Sequence, residues 1–252
     1  MGAGSEYRRV TKPYDDTLSA SLLARLRAER RVDARPGDLR CVDELGRFAL
    51  VTSGDRGTKD DLEAGEVACF AREPEESLES SAAGRRCARS ALAAIGQPRA
   101  AILRDGAGAP RWPVGVSGSI SHAEGMACAL VGSRLGPIGV DVERLDRRVR
   151  SRAWRAILRP EEICAGHLER LVVFSLKEAF FKMCFPRLRR FFWFDVARVT
   201  LGDTANRCSI TIMRDLCSNL LSGTTYWCGY WLFESLVVSW VFDDDLAKVS
   251  NS

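Results

Sequence analysis

Gly139-Val140-Asp141-Val142-Glu143 is the stretch from which the rest of the chain is best understood. Valine and carboxylate alternate, so the segment predicts a short strand with Asp141 and Glu143 on one face and Val140 and Val142 on the other. Two neighbouring carboxylates repel unless a positive charge lies between them, and a hard divalent cation such as Mg²⁺ takes oxygen ligands of this kind. An edge strand with a wet acidic face satisfies the same five residues, so both readings stay open at this point.

Working backward, residues 114–121 and 126–131 read as two further strands, separated by a turn at Ala123-Glu124-Gly125. With the segment 138–143 they predict a three-stranded meander that places His122 near the edge from which the carboxylates emerge. Only two histidines exist, His122 and His167, which argues against Ser-His-Asp and histidine-rich metal schemes. His122 is either structural or, with Ser119 and Ser121 beside it, part of a site. Residues 105–113 form a connector rich in glycine and proline. Before it, Gly84 opens a helical pattern in which Ala88, Leu92 and Ile95 make the apolar stripe, stopped by Gly96 and Pro98. Arg85 and Arg89 are four apart, so they predict either an anion site shared by two guanidinium groups or a pair of surface arginines.

Working forward, Pro160-Glu161-Glu162 has the signature of a helix start. A second helix is expected over residues 168–184, ending before Pro186. Phe174, Phe181 and Phe185 form its buried stripe, with Glu178 and Lys182 on one flank and Lys177 on the other; the Glu178–Lys182 pair also reads as an ordinary intrahelical ion pair. Residues 191–242 alternate apolar and polar and predict a second antiparallel sheet. Toward the N-terminus, residues 1–16 read as a loosely ordered leader, followed by a helix from Thr17 through Leu26, a strand over residues 47–52 and a short helix over residues 60–71. The fold class is therefore α+β.

Composition narrows the setting. The 252 residues suffice for one large or two small domains, and 46% hydrophobic with 28% charged residues suits a folded soluble protein. A net charge of +4 does not by itself point to nucleic acid. Arginines crowd two segments, residues 25–40 and 144–159, which predicts surfaces for an anionic ligand or acidic protein. Nine cysteines, none in a Cys-x-x-Cys pair and several in apolar runs, predict reduced thiols in a cytoplasmic protein. No apolar signal segment begins the chain, and residues 226–242 are too short and too β-branched for a membrane span.

Three stretches then converge: Ser117-Gly118-Ser119-Ile120-Ser121-His122, Gly139-Val140-Asp141-Val142-Glu143, and Phe174-Ser175-Leu176-Lys177-Glu178-Ala179-Phe180-Phe181-Lys182. Together they resemble the signature of the 4′-phosphopantetheinyl transferases, of the single-chain kind that activates peptide and polyketide synthases and siderophore assembly lines (the surfactin and enterobactin synthetase type). Gly84 to Leu92, Trp112-Pro113 and Phe185-Pro186 also resemble that subgroup. The resemblance covers roughly residues 80–200. It implies two similar α+β subdomains about a pseudo-twofold axis, residues 1–135 and 136–252, with the active site in the cleft between them. It implies a monomer that moves 4′-phosphopantetheine from coenzyme A to a serine of an apo acyl or peptidyl carrier protein, with no nucleic acid or membrane partner. By the same resemblance Asp141, Glu143 and Glu178 hold Mg²⁺. Lys177 and Lys182 face the diphosphate, and Arg85, Arg89, Arg111, Ser121 and His122 contact coenzyme A. The catalytic set is Glu178, Lys182 and His122, with Glu178 the favoured base. Three departures are visible: Ala109 stands where many relatives place a charged residue, with Arg111 nearby, Phe174 where some have Trp, and Glu75-Glu76-Ser77-Leu78-Glu79 where relatives often carry a basic residue. That leaves a carboxylate-metal phosphohydrolase and a non-catalytic coenzyme A- or carrier-binding relative as competing expectations.

Overall fold

The computed structural model describes residues 40–42, 48–133, 136–202, 208–233 and 235–243. The expected leader, the Thr17 helix and the arginines of residues 25–35 lie outside them.

Strands β1 (Arg40–Val42), β2 (Phe48–Ser53), β3 (Val116–Ala123) and β4 (Met126–Ser133) form one antiparallel sheet in the order β1-β2-β4-β3. Strands β5 (Ile138–Arg144), β6 (Ala197–Thr200), β7 (Cys208–Ile212), β8 (Thr225–Leu232) and β9 (Leu236–Phe242) form a second, in the order β5-β9-β8-β7-β6. Helices α1 (Ala64–Phe70) and α2 (Glu75–Ala94) precede β3; α3 (Ser151–Ile157) and α4 (His167–Leu188) follow β5. The α+β class holds. The two sheets stack: Phe48, Leu50, Cys128 and Leu130 of the first meet Ile138, Val140, Val142, Trp231, Val238 and Trp240 of the second. The alternate residues Ala49, Val51, Ala127, Ala129 and Val131 point outward and are covered by Ala83, Cys87, Ala88, Ala91 and Leu92 of α2. Leu171, Val172, Leu176, Ala179, Phe180 and Met183 of α4 cover the outer face of the second sheet.

This layering corrects several expectations. The three strands do not form one meander: β5 leaves the first sheet and pairs with β9. Its valines enter the core between the sheets, and its carboxylate face is covered by α4, so Asp141 and Glu143 are both buried. Gly84 does not open a helix. It lies inside α2, which starts at Glu75 behind Pro74 with Glu75 and Glu76 at its positive end. A Cβ at Gly84 would stand 2.6 Å from Ile120 Cγ2, so the glycine is there for close packing of α2 on β3. α4 continues through Pro186 to Leu188, where Arg189 at φ 53° caps it through an N–H bond to the Phe185 carbonyl. A proline in the last turn removes a single ladder bond, and Phe185 packs on Phe181 at 5.5 Å, which holds that turn in place.

Pro160-Glu161-Glu162 is a turn, and the helix lies before it, at α3. Glu162 is buried and acts as a node. Its carboxylate accepts the backbone N–H groups of Arg159 (2.7 Å) and Val199 (2.6 Å), and pairs with Lys177 Nζ at 2.7 Å. Lys177 also donates to the carbonyls of Ile157 and Phe194. The node ties α3, α4 and β6 together. Burial lowers the Lys177 pKa, and Glu162 opposes that shift.

α4 rests on β5 at Gly139, where a Cβ would meet the Ala179 carbonyl oxygen at 1.9 Å. Gly139→Ala is therefore expected to destabilise the protein by about 3 kcal/mol or more in urea unfolding, the upper range for overpacking; an unchanged midpoint would show that the helix can back away. Lys177→Met strands the Glu162 carboxylate and is expected to cost roughly 3–5 kcal/mol in the same measurement.

Candidate active site

Asp141 is the centre of the site. It is supplied by β5, and donors from three directions reach its two oxygens. Ser121 of β3 donates to Oδ1 at 2.9 Å, Lys182 of α4 reaches the same oxygen at 2.7 Å, and Ser175 of α4 donates to Oδ2 at 2.9 Å. Lys182 also donates to the Ser121 hydroxyl at 2.7 Å. Ser175 and Lys182 lie two helical turns apart on α4 and therefore face β5 together.

Glu143 and Glu178 flank this centre. Burial raises both carboxyl pKa values, and the Asp141 charge raises them further. Lys182 and Arg147 oppose the shift at each. Arg147, four residues beyond Glu143 and past the end of β5, pairs with it and lies over the Phe174 ring at 4.8 Å. Among the described residues no three histidine, cysteine, aspartate or glutamate side chains stand close enough to hold a metal ion, so the expected cage of Asp141, Glu143 and Glu178 is not preassembled. The donor chemistry nevertheless suits a hard cation: the Asp141 charge acts on both Glu143 and Glu178, and an ammonium group already sits on Asp141. A narrow cavity of about 50 Å³ opens beside Glu178, walled by Phe180, Phe181, Phe191, Phe192 and Phe194.

One residue along β3 from Ser121, His122 marks a second, cationic group. The cleft walls around its ring desolvate it, although its rim is open to solvent. That desolvation, with Lys182, Arg85 and Arg104 nearby, lowers its pKa. Arg85 and Arg104 both stack on the Phe70 ring, at 4.7 and 4.2 Å. Arg85 donates to the Ile102 carbonyl, and Arg104 pairs with Glu73 and reaches Ser81. Burial, then the Arg104 charge, brings the Arg85 pKa down to about 10. Two like charges are thus held against one ring, Arg104 balanced by Glu73 and Arg85 by the more distant charges of Glu66 and Glu73. A cleft of about 600 Å³ adjoins His122, lined also by Asp55, Arg56, Glu76, Glu79 and Glu124.

The structure thus brings Asp141, Glu143, Glu178, Lys182, Ser121, His122 and Arg85 into one region. Three expected residues lie elsewhere. Arg89 does not share an anion with Arg85: it is buried and bonded to Glu66 at 2.6 and 2.8 Å and to the Asp61 carbonyl. Glu66 in turn accepts the N–H groups of Glu63 and Ile102, so the pair is structural. Lys177 is spent in the Glu162 node and does not face a diphosphate. Arg111 is exposed, and among the described residues no contact joins its side chain to the site. Sequence reasoning missed Arg104, Arg147 and Ser175. Arg104 carries no local signature, because its partners Phe70, Glu73 and Ser81 come from earlier helices and the turn between them. Ser175 stood in plain view inside the α4 motif, but a serine within a helix gives no sign of what it bonds.

Comparison with known proteins gives these positions a context. Residues 70–132 match the model of the 4′-phosphopantetheinyl transferase N-terminal domain, and residues 137–238 match that of the 4′-phosphopantetheinyl transferase superfamily. The chain is 38% identical over 124 residues to the 4′-phosphopantetheinyl transferase Npt of Nocardia iowensis, covering 46% of this chain and 55% of that one. It is 36% identical over 125 residues to PptT of Mycobacterium tuberculosis, with the same coverage of 46% and 55%. With Svp of Streptomyces mobaraensis it shares 33% identity over 155 residues, 56% of this chain and 61% of the relative. The chain spans little more than half the length of these curated relatives. The two domain models follow one another along the chain and together account for more than half of it; the chain belongs to the 4′-phosphopantetheinyl transferase superfamily.

Proposed function

We propose that this protein transfers the 4′-phosphopantetheine arm of coenzyme A to a serine hydroxyl of an apo carrier protein, releasing adenosine 3′,5′-bisphosphate. The observation that carries the proposal is the juxtaposition of two groups. A carboxylate centre that Lys182 reaches at Asp141 lies one strand residue from His122, close to Arg85 and Arg104 stacked on Phe70. Coenzyme A has two anionic parts, a diphosphate and a 3′-phosphate, and such a pair of groups suits both. The matching relatives are themselves named 4′-phosphopantetheinyl transferases.

In this reading Arg85, Arg104 and His122 hold the 3′-phosphate, with Arg104 standing in for the basic residue missing at Glu75 to Glu79. Ser121 and Lys182 bind the diphosphate. Asp141, Glu143 and Glu178 would hold Mg²⁺, which when bound neutralises the diphosphate and the charge on the leaving group. Glu178 takes the proton of the carrier serine as the serine oxygen bonds to the phosphorus on the pantetheine side. The bond from that phosphorus to the bridging oxygen breaks, and Lys182 stabilises the departing bisphosphate. The raised Glu178 pKa supports this role, because a carboxylate nearer neutrality is a better proton acceptor. The exposed arginines 148, 150, 152 and 155, which make no ion pair among the described residues, offer an acidic carrier domain a surface close to β5. We place the protein with the single-chain subgroup, as a cytoplasmic monomer whose two helix-on-sheet halves are related by a pseudo-twofold axis. Among the described residues no disulfide joins the cysteines, which supports a reducing compartment, and siderophore or antibiotic assembly is the pathway class of that subgroup.

Incubation with coenzyme A, Mg²⁺ and an apo carrier, followed by weighing the carrier, tests the proposal; release of phosphate without a heavier carrier would favour a phosphohydrolase instead. Asp141→Asn is expected to slow transfer by roughly 10²-fold or more with the fold intact, and a near-normal rate would refute the assignment of the centre. Arg104→Ala is expected to raise the Michaelis constant for coenzyme A about tenfold, or ~1.4 kcal/mol, while leaving that for dephospho-coenzyme A unmoved. An equal rise with both coenzymes would place Arg104 outside the 3′-phosphate site.

A further inference from the structure

We propose that Ser175 is a positioning residue for the transfer reaction, its hydroxyl fixing the Asp141 carboxylate so that one oxygen stays directed at Ser121 and Lys182. The inference rests on the transferase reading above and assigns a residue that reading does not use.

Ser175 is fully buried on α4, among Leu171, Val172, Phe174, Leu176 and Ala179. A hydroxyl in such surroundings is costly unless it is bonded, and its bond is to Asp141 Oδ2 at 2.9 Å. The Asp141 side chain has one free rotation that exchanges its oxygens. Ser175 occupies Oδ2 and thereby commits Oδ1 to the shared corner with Ser121 and Lys182. The close approach of α4 at Gly139 makes this reach possible. Without the hydroxyl, Oδ2 is left buried and short of a donor, and the carboxylate is free to turn. A second hydroxyl lies close by but does not share the task. Ser239 stands directly opposite Asp141 in the β5–β9 ladder, is equally buried, and finds no hydrogen-bond partner among the described residues. The two serines therefore form a natural pair of test and control, with the same substitution in the same layer.

The experiment compares Ser175→Ala with Ser239→Ala in the full chain. Mn²⁺ binding in the presence of coenzyme A is measured by calorimetry, transfer is measured with an apo carrier, and unfolding midpoints are recorded alongside. Ser175→Ala is expected to weaken Mn²⁺ binding about tenfold or more, the usual cost of losing a group that orients a ligand. It is also expected to lower kcat while leaving the Michaelis constant for the carrier unmoved. Ser239→Ala is expected to match the wild type, and Ser175→Thr, which keeps a hydroxyl, to recover most of the loss. Equal Mn²⁺ affinity and kcat in the two alanine variants would overturn the proposal, as would a wild type that binds no Mn²⁺ with coenzyme A. A wild type that binds Mn²⁺ yet modifies no carrier would sink the transferase reading alone, since calorimetry still decides Ser175. Should Ser175→Ala unfold, Ser175→Cys, close in shape and a weaker donor, is held to the same expectation.

Discussion

Two edge strands meet in this protein without forming a ladder. The backbone N–H groups of Val140 and Val142 in β5 point away from β9, toward β3 of the other sheet. They are accepted by the hydroxyls of Ser119 at 3.0 Å and Ser121 at 3.3 Å. Unpaired edge groups that are buried must find partners, and here serine side chains supply them. The seam holds the two sheets in register at the point where the chemistry-bearing residues stand. Ser121 serves both purposes: it accepts from β5 and from Lys182 and donates to Asp141. A loss at this serine therefore reaches the architecture and the site together.

The same constraint explains how so much charge is buried near the seam. Asp141 is tolerated because two hydroxyl donors and one ammonium group compensate it, in a network whose members strengthen one another. Glu143 and Glu178 are held on either side of it, both displaced toward the neutral form by burial and by Asp141. Beyond β3, Phe70 stacks two guanidinium groups, of which Arg104 pairs with Glu73. Three carboxylates thus gather at one end of the site and the Phe70-stacked guanidinium pair at the other, with His122 close to both groups.

The chain also shows how one residue type at one spacing serves unlike ends. Arg85 and Arg89 lie a turn apart on α2, yet one stacks on Phe70 beside Arg104 and the other is locked to Glu66. Lys177 and Lys182 lie on one helix, about 140° apart around its axis, and one is a structural node while the other reaches Asp141. Spacing along a helix tells which face a side chain leaves from. What it meets there depends on elements distant in sequence: Glu66 is 23 residues from Arg89, and Asp141 is 41 from Lys182.

From sequence alone, the alternation at 139–143, the order of the three motifs, the α+β class and the second antiparallel sheet were legible, because strand and helix periods are properties of local backbone geometry. So was the family, since its motifs are contiguous. Which of two sheets β5 would join was not legible, because a short alternating strand fits either and only the layered core of Ile138, Val140 and Val142 against Phe48 and Leu50 selects one. Nor was the fate of each charge. Arg104, Ser175 and Glu162 gained their roles, and Arg89 and Lys177 lost theirs, through contacts between separate elements. The energy of a buried charge is set by the partner that packing brings to it, and that partner is written elsewhere in the chain.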